Sequence, residues 1–168
     1  MPLDLLSAAP DDRAALRELK RLGFAEPAAA LRNLHALTPT PREAEVLGPV
    51  LPSLLSELAA APDPDMALNN LERVGAQREL VVFLRVLATH PGAIPLLARL
   101  GGTSQFLAET LRRYPRLLSW LLEPRTMRRW LADELTEDLA ASLQAFDRPE
   151  ARLNALRRFK YRQILRIG

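Results

Sequence analysis

Few residues in this sequence could do chemistry, and their spacing decides what that chemistry would be. There is no Cys, which removes thiolate metal sites, disulfides and Cys nucleophiles together. His35 and His90 each stand near the end of an expected helix. Histidines there usually meet a terminal carbonyl or solvent, and neither has a second metal ligand four residues away, as a helical zinc pair requires. Asp63-Pro64-Asp65 has the Asp-x-Asp spacing with which nucleotidyl transferases hold magnesium. That use needs a rigid strand aiming both carboxylates at one ion, whereas this pair stands at a proline-flanked helix start. Asp63 therefore reads as an N-cap, with Pro64 at the first helical position. Gly101-Gly102-Thr103-Ser104 lacks the Lys and the spacing of a phosphate loop and reads as a helix start capped by Thr103. Asp133, Glu134, Glu137 and Asp138 read as the solvated acidic face of one helix. No catalytic, cofactor-binding or metal-binding residue is assigned.

The charged feature with the clearest pattern is the last segment. From Ala151 onward it carries Arg152, Arg157, Arg158, Lys160, Arg162 and Arg166 and no acidic residue. On a helical wheel Leu153, Leu156, Phe159, Ile164 and Ile167 share one arc, which predicts the stripe that packs on a core. Arg158, Arg162 and Arg166 form an i, i+4, i+8 ladder on another face, with Arg157 to one side. Arg157, Arg158, Arg162 and Arg166 are thus the candidate interaction face. Nucleic-acid binders usually add flexible basic arms, stacking aromatics or a recognisable motif; none is evident, which argues against nucleic acid. A basic helix face is more often solvated, or a seam against an acidic neighbour, and the carboxylates at 133–138 could supply one.

The elements that must position these residues are helical. Apolar residues recur at three- and four-residue spacings without alternating β-branched runs. The 14 prolines and 7 glycines fall mainly between such segments and punctuate them. The pattern predicts helices over about 12–22 and from Pro27, and two pieces or a kinked helix around Pro49 and Pro52. Further helices are expected from Asp63, over 76–90 (apolar enough to be the most buried), from Pro91, from Thr103 and from Pro115. A longer one spans about 125–146, carrying Met127, Trp130, Leu131, Leu135, Leu139 and Leu143. The last opens with Asp147, Pro149 and Glu150 in a start signal like a capping box. The fold class is all-α: a multi-helix bundle or short HEAT-like stack of about eight to ten helices, with no strand.

Composition agrees. Hydrophobic residues make up 48% and aromatics only 5% of 168 residues, enough for an aliphatic core in a folded domain. The net charge of +3 is too mild to imply a polyanion partner. The first residues lack the pattern of a signal peptide, and no apolar run approaches the roughly 20 residues needed to cross a bilayer. The expectation is a soluble, cytoplasmic protein without a membrane partner.

Three stretches, in order, carry a family resemblance. "ALNNLERV" (67–74), "LARLGGTSQFLAETLRRYPRLLSWLLEP" (97–124) and "NALRRFKYRQILRIG" (154–168) resemble segments of the glutamine synthetase adenylyltransferase/adenylyl-removing enzymes. The last is similar to that family's L-R-R-F-K-R-R-E-x-L-R-I. The resemblance runs over 65–168 and leaves 1–62 without a match, so 1–62 and 63–168 are read as two stretches of one compact unit. It implies a bifunctional enzyme of nitrogen regulation with two similar nucleotidyltransferase halves. One half attaches AMP from ATP to a tyrosine of glutamine synthetase and the other removes it by phosphorolysis, under control of the PII signalling protein and glutamine. In each half a helical segment precedes a Gly-Ser turn and an Asp-x-Asp strand that binds magnesium and nucleotide. No residue here matches that motif. The resemblance therefore implies an N-terminal, non-catalytic helical piece, inactive alone, that serves as scaffold for the deadenylylase half. Its partners would be the rest of the parent enzyme, glutamine synthetase and PII. Magnesium and ATP or ADP belong to the whole enzyme, with no cofactor held by this piece. The alternative is a free-standing all-α protein-interaction module; a nucleic-acid-binding helical domain rests on the basic face alone.

Overall fold

The computed structural model describes residues 5–76, 79–123, 126 and 130–167. Among them the regular structure is helical and no strand occurs, so the chain is all-α. It divides into two compact units, Met1–Pro115 and Arg116–Gly168.

The first unit contains α1 (Arg13–Arg21), α2 (Pro27–Ala36), α3 (Pro41–Leu47), a 3-10 turn (Gly48–Val50), α4 (Leu51–Ala59), α5 (Pro64–Gly75), α6 (Leu80–Thr89), α7 (Ala93–Thr103) and α8 (Gln105–Arg113). Local chemistry sets the boundaries. The Asp12 carboxylate accepts from the N–H groups of Ala14 (2.7 Å) and Ala15 (3.2 Å) and caps α1. At the other end Gly23 takes φ 100°, which only glycine adopts cheaply. The Gly23 and Phe24 N–H groups then donate to Lys20 and Leu19 carbonyls, a Schellman ending that delivers Phe24 into the core. Pro27, Pro41 and Pro64 each begin a helix, where a missing N–H costs nothing. Pro49 sits in the 3-10 turn that separates α3 from α4, so the region around it is two pieces.

Packing follows a rule of three. Helix α2 lies on α5, α3 on α6, α4 on α7 and α5 on α8, so each helix from α2 to α5 rests on the third one after it. The most extensive packing is between α5 and α7, and glycine makes it possible. A Cβ on Gly102 would lie 2.9 Å from Ala61 Cβ and 3.1 Å from the Asp63 carbonyl oxygen; one on Gly101 would lie 3.2 Å from the Ala67 carbonyl oxygen. Gly101 and Gly102 are therefore interior, buried residues of α7. This corrects the reading of 101–104 as a helix start: Thr103 is the last residue of α7, and its hydroxyl donates to the Arg99 carbonyl at 2.6 Å. Seven of the eleven α7 residues are buried, against four of ten in α6. The most buried of the two is thus α7, because α6 leaves Val82 at the surface.

Asn70 crosses the same seam. Its side-chain amide donates to the Gly101 carbonyl at 2.9 Å, fully buried. That carbonyl lies in the last turn of α7, where the helix offers no N–H of its own. The core between them is aliphatic, built on residues such as Leu31, Leu54, Leu68 and Leu84.

At the rim, Glu109 of α8 pairs with Arg112 at 2.6 Å and reaches Arg73 of α5 at 3.7 Å. The Arg112 hydrogen bond holds the Glu109 carboxyl below the ordinary carboxylate range. A depressed carboxylate pKa adds stability that is present above the unfolded-state value and lost as pH falls through the folded one. The expected result is a melting difference between wild type and Glu109→Gln that exists at neutral pH and closes on acidification. A difference independent of pH would refute it.

Candidate interaction surface on the last helix

The second unit contains α9 (Arg116–Leu121), α10 (Ala132–Gln144) and α11 (Pro149–Ile167). Helix α10 is shorter than the segment expected over 125–146, and Met127 lies outside the described residues. It opens after Leu131, whose N–H donates to the Glu134 carboxylate at 2.8 Å, half of a capping box. Leu131 itself is exposed. Helix α11 begins at Pro149, two residues later than the start read at Asp147, and Arg152 Nε donates back to the Phe146 carbonyl at 2.8 Å.

Of the candidate arginines, Arg158, Arg162 and Arg166 share a face whose partners lie within the unit, while Arg157 stands exposed outside it. Arg162 donates through Nη2 to Asp138 (3.2 Å) and to the Ser142 hydroxyl (3.1 Å) of α10. Its guanidinium lies 5.5 Å from the centroids of both Trp120 and Phe159, within cation–π range. Its Nε–H is buried without a partner. Arg158 stands over Phe146 at 5.6 Å, and Arg166 over Trp130 at 5.8 Å. Arg157 lies to the side and donates to Asn154 at 3.3 Å. The ladder is thus a seam in which aromatic faces and one carboxylate of α10 receive guanidinium groups.

The apolar stripe is correspondingly inverted. The residues of α11 that are buried are Ala155 and Leu165, while Leu153 is 55%, Leu156 43% and Ile167 78% exposed. The expectation that this stripe packs on the core is therefore corrected. Long arginine stems and planar guanidinium groups bury well against rings, and three of these rings, Trp120, Trp130 and Phe146, lie outside α11, where a wheel drawn for that helix alone does not see them.

Both tryptophans, Trp120 and Trp130, lie in this unit, so their fluorescence reports on it. Arg162→Met keeps the stem and removes the charge, leaving Asp138 unpaired. Both side chains are mostly buried, at 22% and 28% exposure, and we expect a loss of about 2 kcal/mol, read as an earlier fluorescence transition in urea. An unchanged midpoint would refute the seam.

The remaining candidates are structural. Asp63 accepts from the Met66 N–H at 2.9 Å, capping α5, whereas Asp65 accepts from the N–H groups of Ala25 (2.7 Å) and Glu26 (3.0 Å) before α2. The two carboxylates are aimed at different backbones, not at a common ion. His35 Nε2 lies 3.1 Å from the Leu5 carbonyl, to which it donates; His90 Nδ1 lies 3.1 Å from the Thr89 hydroxyl. Among the described residues no three His, Asp or Glu side chains gather as a metal would need. No single described helix is long and apolar enough to cross a membrane.

Comparison with known proteins then identifies the framework. Residues 94–168 match the family model described as glutamate-ammonia ligase adenylyltransferase. The chain is 35% identical to a bifunctional glutamine synthetase adenylyltransferase/adenylyl-removing enzyme of Pseudomonas putida, over 98% of the chain and 18% of that protein. Proteins of the same description from Leifsonia xyli (32% identical, 92% of the chain, 16% of the protein) and Xanthobacter autotrophicus (35%, 94% and 17%) are also similar. The likeness therefore reaches into the first sixty residues, and the chain spans less than a fifth of the length of these relatives. No solved structure matches it significantly. On these matches the chain belongs to the glutamate-ammonia ligase adenylyltransferase family, as a stretch corresponding to a small part of a much larger enzyme.

Proposed function

We propose that this chain is the non-catalytic helical scaffold of an enzyme that adenylylates and deadenylylates glutamine synthetase, supporting the deadenylylase half. The observation that carries the reading is the lopsided alignment: nearly all of the chain matches, and it matches under a fifth of each relative. A second support is that the histidines and the Asp63–Asp65 pair are committed to backbone partners or helix ends. In this reading magnesium, ATP or ADP, glutamine synthetase and PII engage the whole cytoplasmic enzyme, and no contact with any of them is assigned to a residue here.

The test replaces the matched stretch of the Pseudomonas putida relative with this chain. The expected result is a protein that retains adenylyl transfer to glutamine synthetase and adenylyl removal from it, while the chain alone performs neither. Adenylyl removal by the isolated chain would overturn the reading, as would loss of both activities in a folded hybrid.

A further inference from the structure

The outward face of α11 combines two properties that rarely coexist on a finished surface. Leu153 and Ile167 are largely exposed, Leu156 is partly so, and the half-buried Ile164 lies on the same side. Their spacing of three, eleven and fourteen residues from Leu153 places them along one line of the helix, the anchor pattern of a helix that lies in an apolar groove. The same face carries exposed Arg157 and Lys160, with Arg152 at its edge. Only Glu150, in the first turn, is acidic on this helix. The surface is a narrow apolar line with a cationic border.

We infer that this face is a docking surface for the remaining polypeptide of the adenylyltransferase/adenylyl-removing enzyme, which presents an apolar groove edged with carboxylates. The inference rests on the scaffold reading above and specifies which face the scaffold uses. Three observations choose this occupant. The relatives are more than five times the length of the stretch they share with the chain, so abundant polypeptide exists to cover the line. A second copy of α11 would bring two sets of Arg152, Arg157 and Lys160 together, and like charges facing one another oppose pairing. An anionic membrane would favour a broad apolar face with aromatics, whereas this line is narrow, is interrupted by Lys160 and has no exposed ring.

The chain contains no Cys, so a thiol placed on the line is a clean probe. Leu153→Cys, Ile167→Cys and the exposed control Glu45→Cys are prepared in the isolated chain and in the Pseudomonas putida hybrid. Alkylation at each site is followed by mass spectrometry of the peptides. The expected result is at least tenfold slower labelling at residues 153 and 167 in the hybrid than in the isolated chain, with residue 45 unchanged. Equal rates in an active hybrid would overturn the docking face while leaving the scaffold reading intact. Slow labelling in a folded hybrid that lacks both activities would do the reverse. In the isolated chain two further outcomes would overturn the inference. One is a dimer in which residues 153 and 167 are protected. The other is binding to phosphatidylserine vesicles that Leu153→Glu abolishes.

Discussion

Asn70→Asp destabilises the Met1–Pro115 unit by at least about 3 kcal/mol at neutral pH, whereas Asn70→Ala costs about 1–3 kcal/mol. The native amide donates to the Gly101 carbonyl in a buried site. Alanine leaves that carbonyl unsatisfied. Aspartate is worse, since a carboxylate is almost isosteric but has no donor and sets a buried negative charge against a carbonyl oxygen. The pH dependence separates the two variants. Burial raises the carboxyl pKa in the folded state, so the stability it retains is full at low pH and is lost as pH rises through that raised value. Protonated, the group can again donate to Gly101. Urea unfolding followed by circular dichroism should therefore show Asn70→Asp recovering toward wild type on acidification and Asn70→Ala failing to do so. If the Asp variant instead matched wild type at neutral pH, Asn70 would not be the partner of α7 described above.

Gly102→Val is the other large effect, with an expected loss of about 3 kcal/mol. Helix propensity alone argues the opposite way, since replacing an interior glycine should gain up to about 1 kcal/mol for alanine and less for valine. The contacts decide the sign. The first added carbon meets Ala61 Cβ at 2.9 Å, the Asp63 carbonyl oxygen at 3.1 Å and Ala67 Cβ at 3.3 Å. Backbone cannot rotate aside as a long side chain can, so α7 must move off α5. A double-mutant cycle checks the mechanism: Ala67→Gly should recover part of the smaller loss in Gly102→Ala. Strictly additive losses would place the strain elsewhere.

Helix class and many boundaries were legible because they are set by neighbours in sequence. Asp12 and Asp63 cap, Pro27 and Pro64 open, and Gly23 ends a helix, each through residues within a turn. The misplaced features depend on residues distant in sequence. Gly101 and Gly102 looked like a turn, because nothing local says that Ala61, Asp63 and Ala67 need their missing side chains. Asp65 binds the backbone before α2, some forty positions earlier, and no spacing announces that. The last helix is the sharpest case. Its wheel correctly separated an arginine face from a leucine-isoleucine face, and the side facing the unit proved to be the arginine one. Trp120, Phe146 and Trp130 decide that orientation. The family was legible from three short blocks, although the relatives align over almost the whole chain.

The rule of three in the first unit has a consequence for how the unit is made. Partners such as α2 and α5, or α4 and α7, begin roughly forty residues apart, a modest loop-closure penalty repeated at each step. On a ribosome the part of α2 that meets α5 stays uncovered until α5 has emerged, and α5 in turn waits for α8. Each helix from α5 to α8 thus closes over the one made three earlier. The same nearest-layer dependence favours graded over all-or-none opening. Amide exchange should be fastest in α1, which touches only one end of the series, and slowest in α5, which is clasped from both sides.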